Sequence, residues 1–190
     1  RVLGAGPRED VVIQVSDLNS VINGSHASNL FERNPWVADE YGLEIRHVTL
    51  RRAAHCVYTR SGWGIFKNVA FENCGCDDTQ RPNPAVSDST DALSWWQSSC
   101  VDGGALRVEN ALSVVIDDCH VTDSERGFQL TSVQSGLIRY SSATRTVQAG
   151  IHLLSNAIGA NIFVHDNTIR DAANNGIRVV GGLNQTISNN

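Results

Sequence analysis

A recurring pair of apolar residues, five positions apart, is the feature of the sequence that most constrains its fold. The pairs are Ile45/Leu50, Phe66/Phe71, Ile116/Val121, Ile138/Ala143 and Val164/Ile169, with Ile187 opening an unfinished sixth. Successive first members lie 21, 50, 22, 26 and 23 residues apart. The long interval is one ordinary interval plus an insertion of roughly 27 residues, and such a period indicates a repeat architecture.

A further strand-like segment follows each pair by seven or eight residues, except after Phe71, where the insertion lies between them. These segments are 57–59, 106–108, 128–130, 151–153 and 177–179. Their alternation of apolar and variable positions is typical of half-buried strands. Gly127, Gly150 and Gly176 precede three of them, and Ala105 and Cys56 the other two. We expect the glycines to supply the left-handed backbone of a tight turn.

One repeat is too short to bury its own apolar side chains, but stacked coils about 4.8 Å apart bury them and pair every strand. The sequence therefore predicts an all-β, right-handed parallel β-helix solenoid of about 22 residues per coil. Three residues after the first anchors stand Cys119, Ser141, Asn167 and Asn190, which we expect to stack and hydrogen-bond along the coils. A β-sandwich of hairpins is disfavoured, because only one Asn-Gly pair falls inside the repeat.

Two segments resemble the coil of the pectin-lyase-like right-handed parallel β-helix superfamily. They are 162–177, Ile-Phe-Val-His-Asp-Asn-Thr-Ile-Arg-Asp-Ala-Ala-Asn-Asn-Gly-Ile, and 114–121, Val-Val-Ile-Asp-Asp-Cys-His-Val. The resemblance extends over about residues 43–190. It implies the fold but no single activity, because the superfamily includes polysaccharide lyases, polygalacturonase-like hydrolases, mannuronan epimerases, phage tailspikes and adhesins.

We expect residues 1–190 to form one β-helix domain, with coils over 43–190 and a loop insertion over 74–103. Residues 1–42 are expected to be irregular or an earlier coil, with strand-like 11–15 and 21–22 and a loop over 27–42. The sequence stops in mid-repeat at 187–190. Terminal coils normally need a cap, so we expect an excerpt of a longer protein.

Composition narrows the classes of partner. A formal charge of -5 argues against nucleic acid and against an anionic membrane surface. No apolar run is long enough for a membrane span. The cations are 14 Arg and the single Lys67, so a cationic site would be a guanidinium site.

The cysteines indicate an oxidising compartment, and we expect an extracellular or cell-surface protein. A disulfide among Cys74, Cys76 and Cys100 could close the base of the insertion. Cys56 and Cys119 are expected to be small buried hydrophobic residues.

The insertion carries two groups of candidate binding residues. Trp95 and Trp96 could stack on sugar rings, although one of them could instead pack the loop onto the solenoid. Asp77, Asp78 and Asp91 offer the hard oxygens that Ca²⁺ prefers, without an EF-hand spacing. Calcium is the only cofactor that the sequence suggests.

Stacking places outward residues one coil apart side by side, which predicts three rows. The rows are Tyr58, Arg107, Gln129, His152, Arg178; then Arg46, Lys67, Asp117, Arg139, His165; then Thr49, Ala70, His120, Ser142, Thr168. The first two rows are polar throughout and rich in groups that titrate or bind anions. Solubility alone would also make outward residues polar.

The leading functional prediction is a polysaccharide lyase that cleaves an acidic polymer by β-elimination. Arg107, His152 and Arg178 would neutralise the uronate and remove a proton, and Tyr58 or His120 would donate one. Gln129, Arg139 and His165, with the two tryptophans, would bind the substrate.

Three alternatives stay open. A mannuronan-type epimerase needs the same groups. A polygalacturonase-like hydrolase needs paired carboxylates. Residues 89–92 (Ser-Thr-Asp-Ala) resemble the Asn-Thr-Asp segment of such enzymes, and Asp117-Asp118 would have to be their later Asp-Asp pair, whereas their Gly-His-Gly and Arg-Ile-Lys motifs are absent. A non-catalytic tailspike or adhesin solenoid, which would be a homotrimer if tailspike-like, is the third.

Overall fold

The computed structural model describes residues 2–3, 12–14, 31–33, 42–51, 53, 55–60, 62–75, 103–154, 160–182 and 184–190. Within these ranges every strand pairing is parallel and all regular structure is β. No helix in the described part of the chain is long and apolar enough to cross a membrane.

The strands in chain order are β1 Val2–Leu3, β2 Val12–Gln14, β3 Phe31–Arg33, β4 Gly42–Arg51, β5 His55–Arg60, β6 Trp63–Glu72, β7 Gly104–Glu109, β8 Ser113–Asp117, β9 His120–Thr131, β10 Ser135–Arg139, β11 Ser142–Leu154, β12 Asn161–His165, β13 Thr168–Arg170, β14 Asn175–Val180 and β15 Gln185–Ser188. They wind into a solenoid with three faces. The first face is β1-β4-β6-β8-β10-β12-β15. The second joins β2 and β13 to the last residues of β4 and β6 and the first residues of β9 and β11, and the third is β3-β5-β7-β9-β11-β14.

The register confirms the repeat read from the sequence. All first anchors pair in series, from Ile45 with Phe66 to Val164 with Ile187. The second anchors pair in the same way, from Leu50 with Phe71 to Ala143 with Ile169. The insertion therefore leaves the stacking of the coils on either side of it unchanged.

Left-handed residues mark the turns between faces. Positive φ angles recur after the first face at His47, Asn68, Asp118, Tyr140, Asp166 and Asn189, and after the second at Asn73, Asp123, Arg145 and Asp171. Asn110 and Ser132 follow the third face. Asn and Asp are common here because they tolerate this conformation better than most residues.

The predicted role of the glycines is wrong. Gly127, Gly150 and Gly176 lie inside strands and are not among the positive-φ residues. Crowding explains Gly127, where a Cβ would lie 2.0 Å from the Gly150 carbonyl oxygen. It also explains Gly150, where a Cβ would lie 2.7 Å from Ile169 Cγ2. These glycines permit close approach of the coils where the chain bends.

The buried polar ladder forms as predicted at the first turn. The amide of Cys119 donates to Ser141 Oγ at 3.1 Å, and the amide of Ser141 donates to Asn167 Oδ1 at 3.0 Å. The amide of Asn167 donates to Asn190 Oδ1 at 3.1 Å. Asn167 Nδ2 also donates to the Ile138 carbonyl, so the ladder satisfies buried backbone groups that the turn leaves unpaired.

The cysteines only partly follow expectation. Cys74 forms a disulfide with Cys56, which the sequence had suggested was a small buried hydrophobic residue. The bridge joins β5 to the end of β6, where the insertion leaves the solenoid. Cys119 is buried and free, as predicted, and burial raises the pKa of its thiol to about 12. Cys76 and Cys100 lie outside the described residues.

Residues 1–42 contribute strands of an earlier coil. β1 and β2 pair with β4, and β3 pairs with β5. The prediction of a loop over 27–42 is therefore wrong at Phe31–Arg33, where a short run with no second apolar anchor gave little signal. The strand-like 21–22 lies outside the described residues.

Candidate functional site

The third face carries the row of Tyr58, Arg107, Gln129, His152 and Arg178, called here the third-face row. Register pairs each member with the next: Tyr58 with Arg107, Arg107 with Gln129, Gln129 with His152, and His152 with Arg178. The predicted stacking of these side chains is confirmed. Four steps of about 4.8 Å make the row about 19 Å long.

At the Tyr58 end, the buried carboxylate of Glu109 binds its cationic neighbours. Arg107 Nε donates to Glu109 Oε1 at 2.7 Å, and Arg60 Nε and the Tyr58 hydroxyl donate to Oε2 at 2.8 and 3.0 Å. Both guanidinium carbons also lie 5.3 Å from the centre of the Tyr58 ring. The positive charges of this end are therefore already engaged by the protein itself.

The pKa values of this cluster follow from its contacts. Burial alone would raise the pKa of Glu109, but hydrogen bonds from Arg60, Arg107 and Tyr58 lower it below its ordinary value. Burial, then the hydrogen bond to Glu109, raises the pKa of Tyr58. Near neutral pH the cluster is a carboxylate held by two guanidinium groups and a neutral phenol.

Gln129 lies in the middle of the row and is buried. Its side-chain amide donates to Thr131 Oγ1 at 3.4 Å. Thr131 is the register partner of Glu109 in the next coil. Gln129 therefore separates the charged cluster from the remaining two members of the row.

At the other end His152 is only 6% exposed, and within the described ranges neither imidazole nitrogen has a hydrogen-bond partner. Burial first, and then the positive charges of Arg178 and Arg126, lower the pKa of His152 from 6.5 to about 4. The imidazole is neutral near pH 7. A buried polar group without a partner is costly and rare, and it requires an explanation.

Arg178 is the exposed neighbour of His152. In the part of the chain that the structure describes, it makes neither a hydrogen bond nor an ion pair. Arg126, which is paired in register with Ala149 on the neighbouring coil, is near enough to act on His152 electrostatically. The His152 end therefore combines a neutral imidazole, a cation without a partner and a second cation nearby, which is a chemical environment suited to an anionic ligand.

The other two predicted rows also form, but on different faces. Arg139 lies on the first face and binds Asp117 through two nitrogens at 3.3 and 3.1 Å. His165, its neighbour, binds Asp166 at 2.8 Å. His120 lies on the second face, with Ser142 Oγ at 2.9 Å from its Nδ1. The turn at Asp123 separates His120 from the third-face row.

Two features of the site were missed from the sequence. Glu109 has the same outward alternation as Arg107, two residues away, and that signal could have placed the two together. Arg126 precedes the glycine at the bend and carried no recognisable pattern. Neither the partner of Arg107 nor the lack of one at His152 can be read from the spacing.

The insertion residues lie outside the described part of the chain. This applies to Trp95, Trp96, Asp77, Asp78 and Asp91, and to the hydrolase-like 89–92. Among the described residues no cluster of His, Cys, Asp or Glu could hold a metal ion. The predicted calcium site stays a prediction, and none of the chemistry below depends on it.

Comparison with known proteins identifies the family. A family model described as "right handed beta helix region" matches residues 36–190. No curated protein and no solved structure matches the chain. The family and the solenoid fit the pectin-lyase-like superfamily, and carbohydrate-active β-helix proteins generally. Since the match covers most of the sequence, the chain belongs to the right-handed β-helix family.

Proposed function

We propose that the third-face row binds an acidic polysaccharide and that the protein cleaves it by β-elimination at His152. The observation that carries this proposal is the buried imidazole, for whose nitrogens the described residues offer no partner, beside Arg178, which they leave unpaired. Such a group is costly to folding. A role in proton transfer explains why the protein keeps it.

The groups at this end fit the requirements of the reaction. Arg178 and Arg126 receive the uronate carboxylate, which stabilises the negative charge that develops when the adjacent C5–H bond breaks. His152 takes the C5 proton, the electron pair forms the C4–C5 double bond, and the C4–O bond breaks. The leaving oxygen keeps the electron pair of the broken C4–O bond and receives a proton from the imidazolium.

Substrate binding would also prepare the base. Two guanidinium charges contribute to the low pKa of His152. A carboxylate bound between them would offset those charges and raise the pKa of His152 toward the working pH, where a general base is most effective. The free protein would therefore hold a weak base that strengthens when an anionic substrate arrives.

The other members of the row receive binding roles. Arg107 is two coils from His152, about 10 Å, and Tyr58 is three coils away, about 14 Å. Neither can act on the same sugar bond as His152. We assign Tyr58, Arg107 and Gln129 to neighbouring sugar units of a polymer lying along the solenoid axis, and we assign no role to His120.

The alternatives receive less support. A hydrolase needs two carboxylates facing one glycosidic bond, whereas Glu109 is engaged by Arg60, Arg107 and Tyr58. Asp117 is bound by Arg139 and lies near Lys67 on the first face. An epimerase would use the same His152 site and return the proton to C5. A binding solenoid would use the same cations without turnover.

We also propose an extracellular or cell-surface location. The support is the disulfide between Cys56 and Cys74, since such bonds persist in oxidising compartments. An acidic polysaccharide is a substrate met outside the cell or in its wall. A homotrimer remains a prediction tied to the tailspike alternative.

The test is cleavage of polyuronates, followed by the ultraviolet absorbance of the unsaturated product. We expect turnover by the protein and a loss of about 10²–10⁴-fold in His152→Gln, which removes the base but keeps a polar side chain. His47→Asn is the matched control, because His47 is a turn residue of the first face bonded to Asn68. It should leave turnover unchanged.

Each alternative gives a different result in this assay. Reducing ends without the absorbing product would indicate a hydrolase and refute the proposal. Inverted C5 centres without chain cleavage would indicate an epimerase. Binding without either product would indicate a binding solenoid.

A further inference from the structure

A buried carboxylate next to the His152 end has no place in the mechanism so far. Glu125 lies in β9 and is only 1% exposed. Its Oε2 accepts a hydrogen bond from the Gly103 amide at 2.7 Å, and its Oε1 accepts one from Gln148 Nε2 at 2.6 Å. Both oxygens are therefore engaged, which is the condition for burying a carboxylate at tolerable cost.

Gln148 connects this carboxylate to Arg126. Its Oε1 accepts a hydrogen bond from Arg126 Nε at 2.8 Å while its Nε2 donates to Glu125. The connection depends on a bulge, because Ser124 and Arg126 oppose Thr146 and Ala149, which leaves one extra residue in β11. A bulge redirects a side chain, and here it aims Gln148 between Glu125 and Arg126.

Arg126 is the second cation of the His152 end, and its guanidinium is mostly buried. Its Nε is bound by Gln148, and its Nη2 lies 3.7 Å from Glu125 Oε1. An arginine tied at Nε has a fixed direction, whereas an arginine without a partner samples many rotamers. Gln148 and Glu125, which are not members of the row, therefore help to fix the position of Arg126.

We propose that Glu125 is a positioning residue: through Gln148 it holds Arg126 beside His152, where Arg126 and Arg178 together receive one anionic group of the substrate. This inference rests on the proposed function for the nature of the ligand. The arrangement of Glu125, Gln148 and Arg126 can be tested without any substrate. It also makes Arg126 the fixed half of the anion site and Arg178 the mobile, exposed half.

The first test is Gln148→Met, which removes both hydrogen bonds of the relay and changes no charge. The charged groups that act on His152 are Arg126 from β9 and Arg178 from β14. With Arg126 released, we expect the pKa of His152 to rise by about one unit from its low value. Titration of the imidazole NMR signals measures it, with His152→Leu for assignment.

The second test, Glu125→Gln, distinguishes positioning from a direct charge effect. Loss of a nearby negative charge, by itself, would lower the pKa of His152. Release of Arg126 would raise it. The proposal expects a rise in both variants, and a fall in Glu125→Gln would overturn it. If Glu125→Gln fails to fold, Gln148→Met alone decides.

The matched control is Asp123→Asn, two residues before Glu125 on β9. Asp123 binds Arg145 at 2.6 Å in an exposed pair, and asparagine tolerates its left-handed backbone. This variant should leave the pKa of His152 unchanged. An equal shift in Asp123→Asn would overturn the relay.

Binding supplies a readout tied to function. In Gln148→Met, the Kd for a polyuronate oligomer should rise about tenfold, since Arg126 is no longer held in place for the anion. Unchanged His152 titration in Gln148→Met refutes the relay whatever the polymer does. A shifted titration with no polyuronate binding supports the relay and refutes the proposed ligand.

Discussion

The two ends of the third-face row have the same register but differ in their chemistry. Tyr58 and Arg107 occupy adjacent coils, as His152 and Arg178 do. In the neighbouring outward row, two residues further along each strand, the first end has Arg60 and Glu109, and the second has Leu154 and Val180. Glu109 engages the cations of the first end, whereas the aliphatic pair gives the second end no counter-charge among the described residues.

This difference shows that the stacking of side chains in one row does not by itself make them able to bind a ligand. Stacking brings all five members of the row onto one face, but the next row decides which of them can meet a ligand. Arg107 keeps its charge partner inside the protein, so a polymer carboxylate would have to compete with Glu109. Arg178 has no such competitor among the described residues. The same solenoid geometry thus supplies one end that can bind neighbouring sugar units only in competition with Glu109, and another end that is the candidate reactive site.

The largest expected difference between the two ends is the loss of stability at low pH that His152 causes. Its pKa is about 4 in the folded protein, whereas the ordinary value of 6.5 applies in the unfolded chain. The unfolded chain therefore binds the proton first as the pH falls. The free energy of unfolding should therefore drop by about 3 kcal/mol between about pH 6.5 and pH 4. Denaturant unfolding at a series of pH values measures this.

The control for that experiment is His152→Leu, in which this part of the decline should disappear. The cluster around Glu109 affects the free energy of unfolding in a lower pH range. Its lowered pKa gives stability that is present above the ordinary value of 4.5 and is lost as the pH falls through the folded value. A decline that survives in His152→Leu between pH 6.5 and 4.5 would contradict the assignment to His152.

Near pH 7 the cluster around Glu109 should contribute more to the free energy of unfolding than an exposed ion pair does. Glu109→Gln removes the carboxylate that holds Arg60, Arg107 and Tyr58 and leaves two cations facing one ring. Since Arg60 is partly exposed, water would compensate in part, and we expect a loss of about 2 kcal/mol.

Asp123→Asn again supplies the comparison, because its pair with Arg145 is exposed. It should cost less than about 1 kcal/mol. Equal losses in Glu109→Gln and Asp123→Asn would mean that the buried cluster contributes no more than a surface ion pair. Chemical denaturation near pH 7 distinguishes the two results.

The sequence predicts the rows because apolar anchors in a solenoid have one acceptable register. A slip by one residue would turn Ile116 or Val121 outward, so burial fixes the stacking. It does not predict partners, since whether Arg107 meets Glu109 depends on side-chain conformations within the outer surface. The disulfide of Cys56 with Cys74 and the bulge at Gln148 were missed for a related reason. Both depend on local departures from the repeat, which a periodic pattern cannot encode.

The smallest expected effect comes from giving the second end the counter-charge of the first. Val180 holds the place relative to Arg178 that Glu109 holds relative to Arg107, and it is 41% exposed, so substitution there should be tolerated. In Val180→Glu the new carboxylate should accept hydrogen bonds from Arg178 and approach His152. It would then compete with a substrate carboxylate, and we expect polyuronate binding to weaken about fivefold, or about 1 kcal/mol. Val180→Gln has nearly the same shape without the charge and should bind as the parent does.

The imidazole titration gives an independent check, because a nearby carboxylate should raise the pKa of His152 in Val180→Glu alone. Equal binding by the two variants would mean that the missing counter-charge is not what makes this end available to an anion.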